Sequence, residues 1–148
     1  MSSSDSSASA IQPVSNGKRI LVLGDHSDFV RAIQKILELR GYHVETSKND
    51  LSALTRIKEN LPNLIIFNNV IPEGDGFEIT KAIHSDTVTA EIPILLLGPL
   101  VRETPRHNPD PKPFLRKGAN RVLFKPFGSR EFVKTVNEML LDSSAKDQ

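Results

Sequence analysis

The feature that most constrains the fold is an alternation that repeats five times: a short apolar run, then a longer segment with helical spacing. The apolar runs cover residues 19–24, 42–46, 63–68, 92–98 and 120–125. The first, third and fourth are continuously apolar, which is the pattern of strands buried on both faces of a parallel sheet. The alternation predicts an α/β domain with right-handed crossovers and helices on both faces of that sheet.

The segments between the runs carry apolar residues at helical spacing. In the first such segment, one face is predicted to hold Phe29, Ile33, Ile36, Leu37 and Arg40, with Gly41 ending the helix. Later helices are marked by Leu51, Leu54 and Ile57, by Phe77 and Ile83, and by Phe132, Val136, Met139 and Leu140. These faces are expected to cover the sheet.

The fourth helical segment is the irregular one. Residues 99–113 hold five of the ten prolines of the chain. A proline inside a helix costs about 3 kcal/mol because it lacks an N–H donor and clashes with the preceding turn. A loop is therefore expected, with at most one or two helical turns after Pro113.

The length of 148 residues favours one domain with a single core. Residues 1–17 contain seven serines and little to bury, so they are predicted to be a flexible, disordered leader. Residues 18–141 are predicted to form the domain, and residues 142–148 a short C-terminal tail.

Composition excludes several classes of function. The chain has no cysteine, so disulfides, thiolate chemistry and Cys-based metal sites are excluded. A net charge of +1 gives no overall attraction to nucleic acid. Neither a signal peptide nor an apolar stretch of about 18 residues is present, so we expect a soluble, cytoplasmic protein without membrane insertion.

Ligands of an open parallel sheet bind beyond the carboxyl ends of its strands. The residues at those ends are Gly24-Asp25, Asn68-Asn69, Gly98-Pro99 and Lys125-Pro126. They lie in the stretches RILVLGD, LELRGYHVETSKNDLSAL, PNLIIFNNVIPEGDGFE, EIPILLLG and GANRVLFKPF. In this order and spacing, these stretches resemble a response-regulator receiver domain over about residues 18–141.

The resemblance implies a flavodoxin-like (βα)5 fold, a doubly wound parallel sheet with strand order 2-1-3-4-5. It also implies a pocket in which one aspartate, at the end of the third strand, accepts a phosphoryl group beside Mg²⁺ held by acidic residues. A hydroxyl ending the fourth strand and a lysine ending the fifth would grip the phosphate. An aromatic residue three positions before that lysine would respond by repacking.

This chain departs from that pattern at four positions. Asn68 stands where the acceptor aspartate would be, and an amide is too weak a nucleophile to take a phosphoryl group. Gly24 replaces the first acidic residue, Gly98 replaces the hydroxyl, and Val122 replaces the aromatic residue. Asn68 keeps the size and hydrogen-bonding shape of the aspartate without its charge, so it can fill the pocket without reacting.

Two charged residues of the pocket remain, Asp25 and Lys125, and their formal charges cancel. The resemblance therefore predicts a degenerate phosphorylation pocket with no Mg²⁺ affinity, no cofactor and no catalytic residue. Asp25 and Lys125 form either a salt bridge that closes the pocket or a remnant phosphate or metal site, and the salt bridge is favoured. The resemblance also implies a cis bond between Lys125 and Pro126.

A basic segment follows the fourth strand. The candidate partner-binding residues are Arg102, Arg106, Lys112, Arg116, Lys117 and Arg121. They form either a solvated loop or a docking surface, since receivers commonly contact partners through the fourth helix, fifth strand and fifth helix. The absence of interleaved aromatic residues argues against a platform for single-stranded nucleic acid.

Our interpretation of the sequence is a pseudo-receiver, which is not an enzyme. It would be a stand-alone, phosphorylation-independent interaction module of bacterial signalling or localisation, binding protein partners through the face around residues 98–141. Two alternatives stay open: a sensor that holds a small anion or metabolite in the neutralised pocket, and a receiver that still accepts phosphate weakly.

Overall fold

The structure, a computed structural model, describes residues 17–24, 27–48, 50–68 and 76–146. Residues 1–16 of the predicted leader, Asp25, and the end of the predicted tail at 147–148 lie outside the described residues. The side chain of Phe77, predicted to mark the third helix, also lies outside them.

Five parallel strands form one sheet in the order β2-β1-β3-β4-β5. The strands are β1 (Arg19–Leu23), β2 (His43–Ser47), β3 (Leu64–Asn68), β4 (Ile94–Leu100) and β5 (Arg121–Lys125). The helices are α1 (Asp28–Glu38), α2 (Ser52–Glu59), α3 (Gly76–Ser85), α4 (Lys112–Arg116) and α5 (Ser129–Lys146). The predicted doubly wound α/β fold, including its strand order, is confirmed.

The sheet separates two apolar layers because successive side chains of a strand point to opposite faces. Ile20 and Val22 of β1 face a layer that contains residues of α1 and α5. Leu21 and Leu23 face a second layer with residues of α2, α3 and α4. Every residue of β3 is buried, as expected of a central strand.

Helix α1 begins at an N-cap, where the Ser27 hydroxyl accepts a 3.1 Å hydrogen bond from the Val30 amide. Ile33 and Leu37 are buried as predicted. Arg40, which was placed on the same face, lies beyond the helix and is exposed. Gly41 has a φ of 94°, the left-handed conformation that a glycine after a helix adopts readily.

The prediction that Leu51 marks the second helix is wrong. Leu51 lies just before the helix and is 62% exposed. Ala53 and Ile57 are the fully buried residues there, so the helix begins one residue later than the apolar spacing indicated. In α5, by contrast, Phe132 and Val136 are fully buried, and the predicted face is confirmed.

The proline-rich segment is irregular, as predicted. Two short 3-10 turns, Val101–Glu103 and Pro105–His107, follow β4, and α4 has only five residues. The turn after α4 is fixed at Gly118, which has a φ of 116° and whose carbonyl lies 2.9 Å from Nε2 of His84 on α3. A Cβ at Gly118 would lie 2.4 Å from Cγ2 of Thr80, so only glycine allows this close packing.

Within the described part of the chain, no helix combines the length and apolar character that crossing a membrane requires.

Candidate functional site

The predicted pocket residues lie at the carboxyl ends of the strands. Asn68 and Lys125 are the last residues of β3 and β5, and Gly24 directly follows β1. Because parallel strands end at the same edge of the sheet, these positions converge there. The structure thereby brings Asn68 beside both Gly24 and Lys125.

Asn68 is buried, with 3% of its surface exposed. Its amide oxygen accepts a 2.8 Å hydrogen bond from Nζ of Lys125. Its amide nitrogen, also buried, has no hydrogen-bond partner among the residues that the structure describes. A buried amide with one bonded end and one unbonded end is uncommon, because an unpaired donor costs about 1–3 kcal/mol.

Gly24 packs closely against Asn68. A Cβ built on Gly24 would lie 3.2 Å from Cβ of Asn68 and 3.7 Å from its Nδ2. The backbone N–H of Gly24 donates to the carbonyl of Ser47, which ties the end of β1 to β2. The position where the resemblance expects a carboxylate is thus backbone alone.

Lys125 is held by an aromatic ring as well as by Asn68. Its Nζ lies 4.4 Å from the centroid of the Phe29 ring, within the range of a cation–π interaction. Phe29 meets Phe127 edge to face at 5.9 Å, and Phe127 stacks on Phe132 at 5.6 Å. The pocket lysine is thereby linked by three rings to the buried face of α5.

From the sequence, Phe29 was predicted only to lie on the core-facing side of α1. A signal for its second role was present, because Phe29 lies in the first turn of α1, immediately after the loop that leaves β1. In a parallel α/β domain that turn lies beside the carboxyl edge of the sheet, where ligands bind.

Gly98 and Val122 form a second group. A Cβ on Gly98 would lie 3.3 Å from Val122 Cγ1 and 3.3 Å from Phe124 Cδ1. The pairing of β4 with β5 shifts between Leu97 and Leu100, which is a local bulge around Gly98. Val122 and Phe124 thus occupy the space into which a hydroxyl side chain would project.

The predicted bridge between Asp25 and Lys125 stays a prediction, since Asp25 lies outside the described residues. The bond between Lys125 and Pro126 is cis, as the resemblance implied. Among the described residues, no group of three or more His, Asp or Glu side chains is placed to hold a metal ion.

The cationic side chains of the basic segment are exposed. The side chains of Arg102, Arg106, Lys112, Arg116 and Lys117 all belong to exposed residues. Arg121 differs from them, because its Nη1 lies 2.8 Å from Oε1 of Glu138 on α5. This hydrogen bond lowers the pKa of Glu138 below its ordinary value. Arg121 therefore already has an acidic partner within the fold.

The sheet has five parallel strands in the order 2-1-3-4-5. At its carboxyl edge, a lysine faces an asparagine that has the size of the phosphate-accepting aspartate. This arrangement is typical of the receiver class of signalling domains. The profile of the response regulator receiver domain family matches residues 20–137. The chain belongs to this family.

Several receivers are similar over most of this chain. The response regulator receiver protein CpdR of Brucella abortus (strain 2308) is 32% identical over 124 residues, which are 84% of this chain and 98% of CpdR. The polar-differentiation response regulator DivK of Brucella anthropi is 24% identical, over 85% of this chain and 98% of DivK.

Other relatives are longer. The phosphate regulon transcriptional regulatory protein PhoB of Pseudomonas aeruginosa is 30% identical over 84% of this chain, which spans about half (52%) of the length of PhoB. Among solved structures, a response regulator from Chloroflexus aurantiacus J-10-fl superposes with a TM-score of 0.72 at 27% identity, covering 84% of this chain and 98% of that one. These findings establish two-component signalling as the general setting, in which receivers act as signalling modules.

Proposed function

We propose that this chain is a pseudo-receiver, a phosphorylation-independent module that binds protein partners in bacterial signalling or localisation. One observation carries the proposal: the pocket lysine, Lys125, donates a 2.8 Å hydrogen bond to the amide of Asn68. In a phosphorylated receiver this lysine would hold the phosphoryl group. Here a neutral side chain that belongs to the fold takes that place.

The neighbouring positions support the same proposal. Asn68 offers no carboxylate for phosphoryl transfer, and Gly24 offers no carboxylate for Mg²⁺, which prefers oxygen ligands in octahedral arrangement. Gly98 offers no hydroxyl, and its surroundings are filled by Val122 and Phe124. With one retained carboxylate, Asp25, against Lys125, the pocket lacks the negative charge that would attract a divalent cation.

The position whose side chain repacks when a receiver is phosphorylated is also altered. Val122 is a small aliphatic residue at the position where a repacking aromatic ring would respond to the phosphate. The chain of rings found here runs instead from Phe29 through Phe127 to Phe132, on the α1 and α5 side of the sheet. We infer that the module has one working conformation, set by packing.

Without a chemical switch, the module acts by contact. We propose that the partner face lies around residues 98–141, in the cytoplasm, and that residues 18–141 form the functional unit between a leader (1–17) and a tail (142–148). The exposed cations of the basic segment favour an acidic protein surface. Among them, Arg102, Arg106 and Arg116 form no salt bridge within the described chain.

Affinity capture from the native cell tests this function. The wild-type chain is compared with a variant carrying Arg102→Glu, Arg106→Glu and Arg116→Glu. A matched control carries Lys35→Glu, Lys48→Glu and Lys81→Glu, three exposed cations outside the basic segment. We expect one specific partner to be lost only with the first variant, and capture to be the same with and without a phosphodonor and Mg²⁺. Equal capture by both variants, or capture that requires the phosphodonor, would contradict the proposal.

A second candidate function is a sensor of small anions or metabolites. The buried Nδ2 of Asn68 favours it, because that donor has no hydrogen-bond partner among the described residues and could donate to a bound anion. Ligand binding to the folded state raises the melting temperature by mass action. A thermal-shift screen with small anions would therefore show a stabilising compound whose effect disappears in Lys125→Met. No shift with any compound would remove this candidate.

A further inference from the structure

Strand β2 forms one edge of the sheet. In the order β2-β1-β3-β4-β5 it pairs with β1, and no strand among the described residues lies on its other side. The backbone groups on the open side of an edge strand can pair with another chain. The partner face proposed above, around residues 98–141, includes β5 at the opposite edge, so the β2 edge is a separate surface.

Alternate residues of β2 direct their backbone groups away from β1. The N–H of His43 donates to the backbone directly before β1, and the carbonyl of Ser47 accepts from the backbone directly after it. In a strand, the backbone groups of successive residues point to opposite sides. Val44 and Thr46 therefore direct their N–H and C=O groups to the open side, where a sixth strand would pair with them.

One of these outward groups is covered by a side chain of the fold. Nη1 of Arg56, on α2, donates a 2.8 Å hydrogen bond to the carbonyl of Thr46. Arg56 is exposed and Thr46 is half-buried, so this bond lies on the open side of the strand. A charged side chain at an edge is a common protection against unwanted strand pairing. Arg56 therefore covers the β2 edge at Thr46.

Arg56 also lines a narrow cleft between β2 and the end of α2. The polar residues of its lining are Arg19, His43, Glu45, Arg56 and Asn60. The volume of the cleft is about 10 Å³, which is room for one group of the size of a water molecule. A nucleotide is too large for this space, whereas the end of one side chain fits it.

The two arginines of the cleft are bonded to neutral groups. Nη2 of Arg19 donates to the carbonyl of Leu61 at 2.7 Å, and Arg56 donates to a carbonyl of β2. Neither arginine forms a salt bridge in the part of the chain that the structure describes. The carboxylate of the lining, Glu45, lies 3.5 Å from Nε2 of His43. Because a guanidinium has five N–H donors, both arginines keep donors for an acceptor that enters the cleft.

A carboxylate is the acceptor that such arginines prefer. A bond between a guanidinium and a carboxylate joins two ionised groups and can be bidentate, so it is stronger than a bond to a neutral carbonyl. A carboxylate beside β2 therefore attracts Arg56 away from Thr46 and frees that carbonyl to accept from an incoming N–H. A strand without a carboxylate leaves the edge covered, and Arg56 thereby selects acidic segments.

We propose that the β2 edge binds an extended acidic segment of a partner protein, which adds a sixth strand and places a carboxylate against Arg56 at the cleft. Its acidic residues lie opposite Ser47 or His43 and not opposite Glu45, because like charges directly across neighbouring strands repel each other. Residues 43, 45 and 47 share one face, so acidic residues at these two places are four positions apart, with a neutral residue midway. Backbone pairing supplies affinity, and the carboxylate supplies specificity.

The test uses the full-length chain and three fluorescein-labelled peptides. The acidic peptide has the sequence Thr-Val-Glu-Val-Thr-Val-Glu-Val-Thr, which is the same in both directions and therefore allows parallel or antiparallel pairing. The first control peptide has both glutamates replaced by glutamine. The second has the two central valines replaced by proline, which removes N–H donors that strand pairing needs. Binding is measured by fluorescence anisotropy up to millimolar protein.

We expect the wild-type chain to bind the acidic peptide, the glutamine peptide about tenfold more weakly, and the proline peptide not measurably. Arg56→Ala removes both the cover of the edge and the partner of the carboxylate, so this variant should bind the acidic and glutamine peptides alike. Arg102→Ala, a matched control in the basic segment, should bind as the wild type does. Amide chemical shifts should move at Val44 and Thr46.

Four outcomes would overturn the proposal: no binding of the acidic peptide, equal binding of the proline peptide, an unchanged preference for the acidic peptide in Arg56→Ala, or shift changes confined to residues 98–141. Dimerisation of the wild-type chain with shift changes in β2, without peptide binding, would assign the edge to a second copy and would also overturn it. Circular dichroism confirms that both variants are folded before binding is compared. A negative result leaves the function proposed above standing, because capture through the basic segment does not involve β2.

Discussion

The side-chain amine of Lys125 and the amide oxygen of Asn68 lie 2.8 Å apart, and the hydrogen bond between them joins the ends of β5 and β3. Both residues stand where a working receiver would surround a phosphoryl group. The neutral amide satisfies the lysine without a second negative charge and without a cation. The bond supports the proposal that a side chain of the fold takes the place of the phosphoryl group.

The first prediction concerns chemistry at this pocket. Incubation of the wild-type chain with a small phosphodonor and Mg²⁺ should leave its intact mass unchanged. The single substitution Asn68→Asp should also remain unlabelled, because Gly24 and Gly98 still supply neither a metal ligand nor a hydroxyl. A phosphorylatable receiver treated in parallel controls for the donor. Robust labelling of Asn68→Asp would show that the missing groups at those glycines matter less than argued.

The second prediction concerns the contribution of Lys125 to stability. Lys125→Met keeps an apolar chain near Phe29 but leaves the buried oxygen of Asn68 without its donor. Loss of a partner by a buried polar group costs about 1–3 kcal/mol, and the free energy of unfolding in urea should fall by that amount. A double-mutant cycle with Asn68→Leu supplies the control. Lys125→Met should lower the free energy of unfolding less when Asn68 is already leucine than when it is asparagine. Fully additive effects would argue against the bond.

Much of the fold could be predicted because the pattern of apolar residues along the chain determines it. Continuous apolar runs such as Leu64 to Phe67 can be covered only inside a parallel sheet, and the helical spacing of Phe132 and Val136 determines which face of α5 packs on it. Leu51 was misassigned because spacing does not show where a helix begins. That boundary depends on local backbone geometry, and Leu51 serves there as an exposed N-cap.

The site was predictable only in part. The positions of Asn68 and Lys125 followed from strand ends, but their hydrogen bond depends on side-chain conformations that no sequence pattern encodes. The ring of Phe29 over Lys125 was missed because an apolar residue at a helical position is ordinarily read as core. The pairing of Arg121 with Glu138 was missed because it joins residues 17 positions apart on different elements.

The third prediction concerns Gly98. Gly98→Thr would supply the hydroxyl that receivers have, yet its Cβ would lie 3.3 Å from Val122 and Phe124. Forcing extra atoms into packed surroundings costs about 1–3 kcal/mol, so the urea midpoint should fall. Gly128→Ala is a matched control, because nothing lies within 4 Å of its Cβ and its effect should be small. Adding Val122→Ala to Gly98→Thr should restore part of the lost stability. If the urea midpoint does not recover, the strain does not arise from contact with Val122.

The fourth prediction concerns Gly118, which anchors the turn after α4 on α3. Gly118→Ala would place a methyl group 2.4 Å from Cγ2 of Thr80 at a φ of 116°. Backbone strain and overpacking each cost about 1–3 kcal/mol, so this substitution should destabilise the fold more than Gly98→Thr does. Thr80→Ser removes the opposing methyl group. Combined with Gly118→Ala, it should restore only the part of the lost stability that comes from overpacking. A stable Gly118→Ala chain would mean that the turn adjusts freely.

The last prediction concerns acid stability and Asp86, which follows α3. Its pKa is lowered by a 2.9 Å hydrogen bond from the backbone of Val88 and, to a smaller extent, by Nζ of Lys58 at 3.0 Å. A carboxyl group with a lowered folded-state pKa stabilises the fold above its unfolded pKa, near 3.8, and loses that contribution as pH falls through the folded-state value.

In Asp86→Asn, the melting temperature should therefore fall less than in the wild type as the pH decreases below about 4. The measurement is the melting temperature across a pH series. Lys58→Met should reduce this fall less, because the backbone hydrogen bond from Val88 persists and is the larger cause of the lowered pKa. At pH 7 Asp86→Asn should melt below the wild type, since the ionised carboxylate then makes both contacts, and the two melting temperatures should converge as the pH falls. Equal acid sensitivity in all three chains would mean that Asp86 forms the same contacts in the unfolded state.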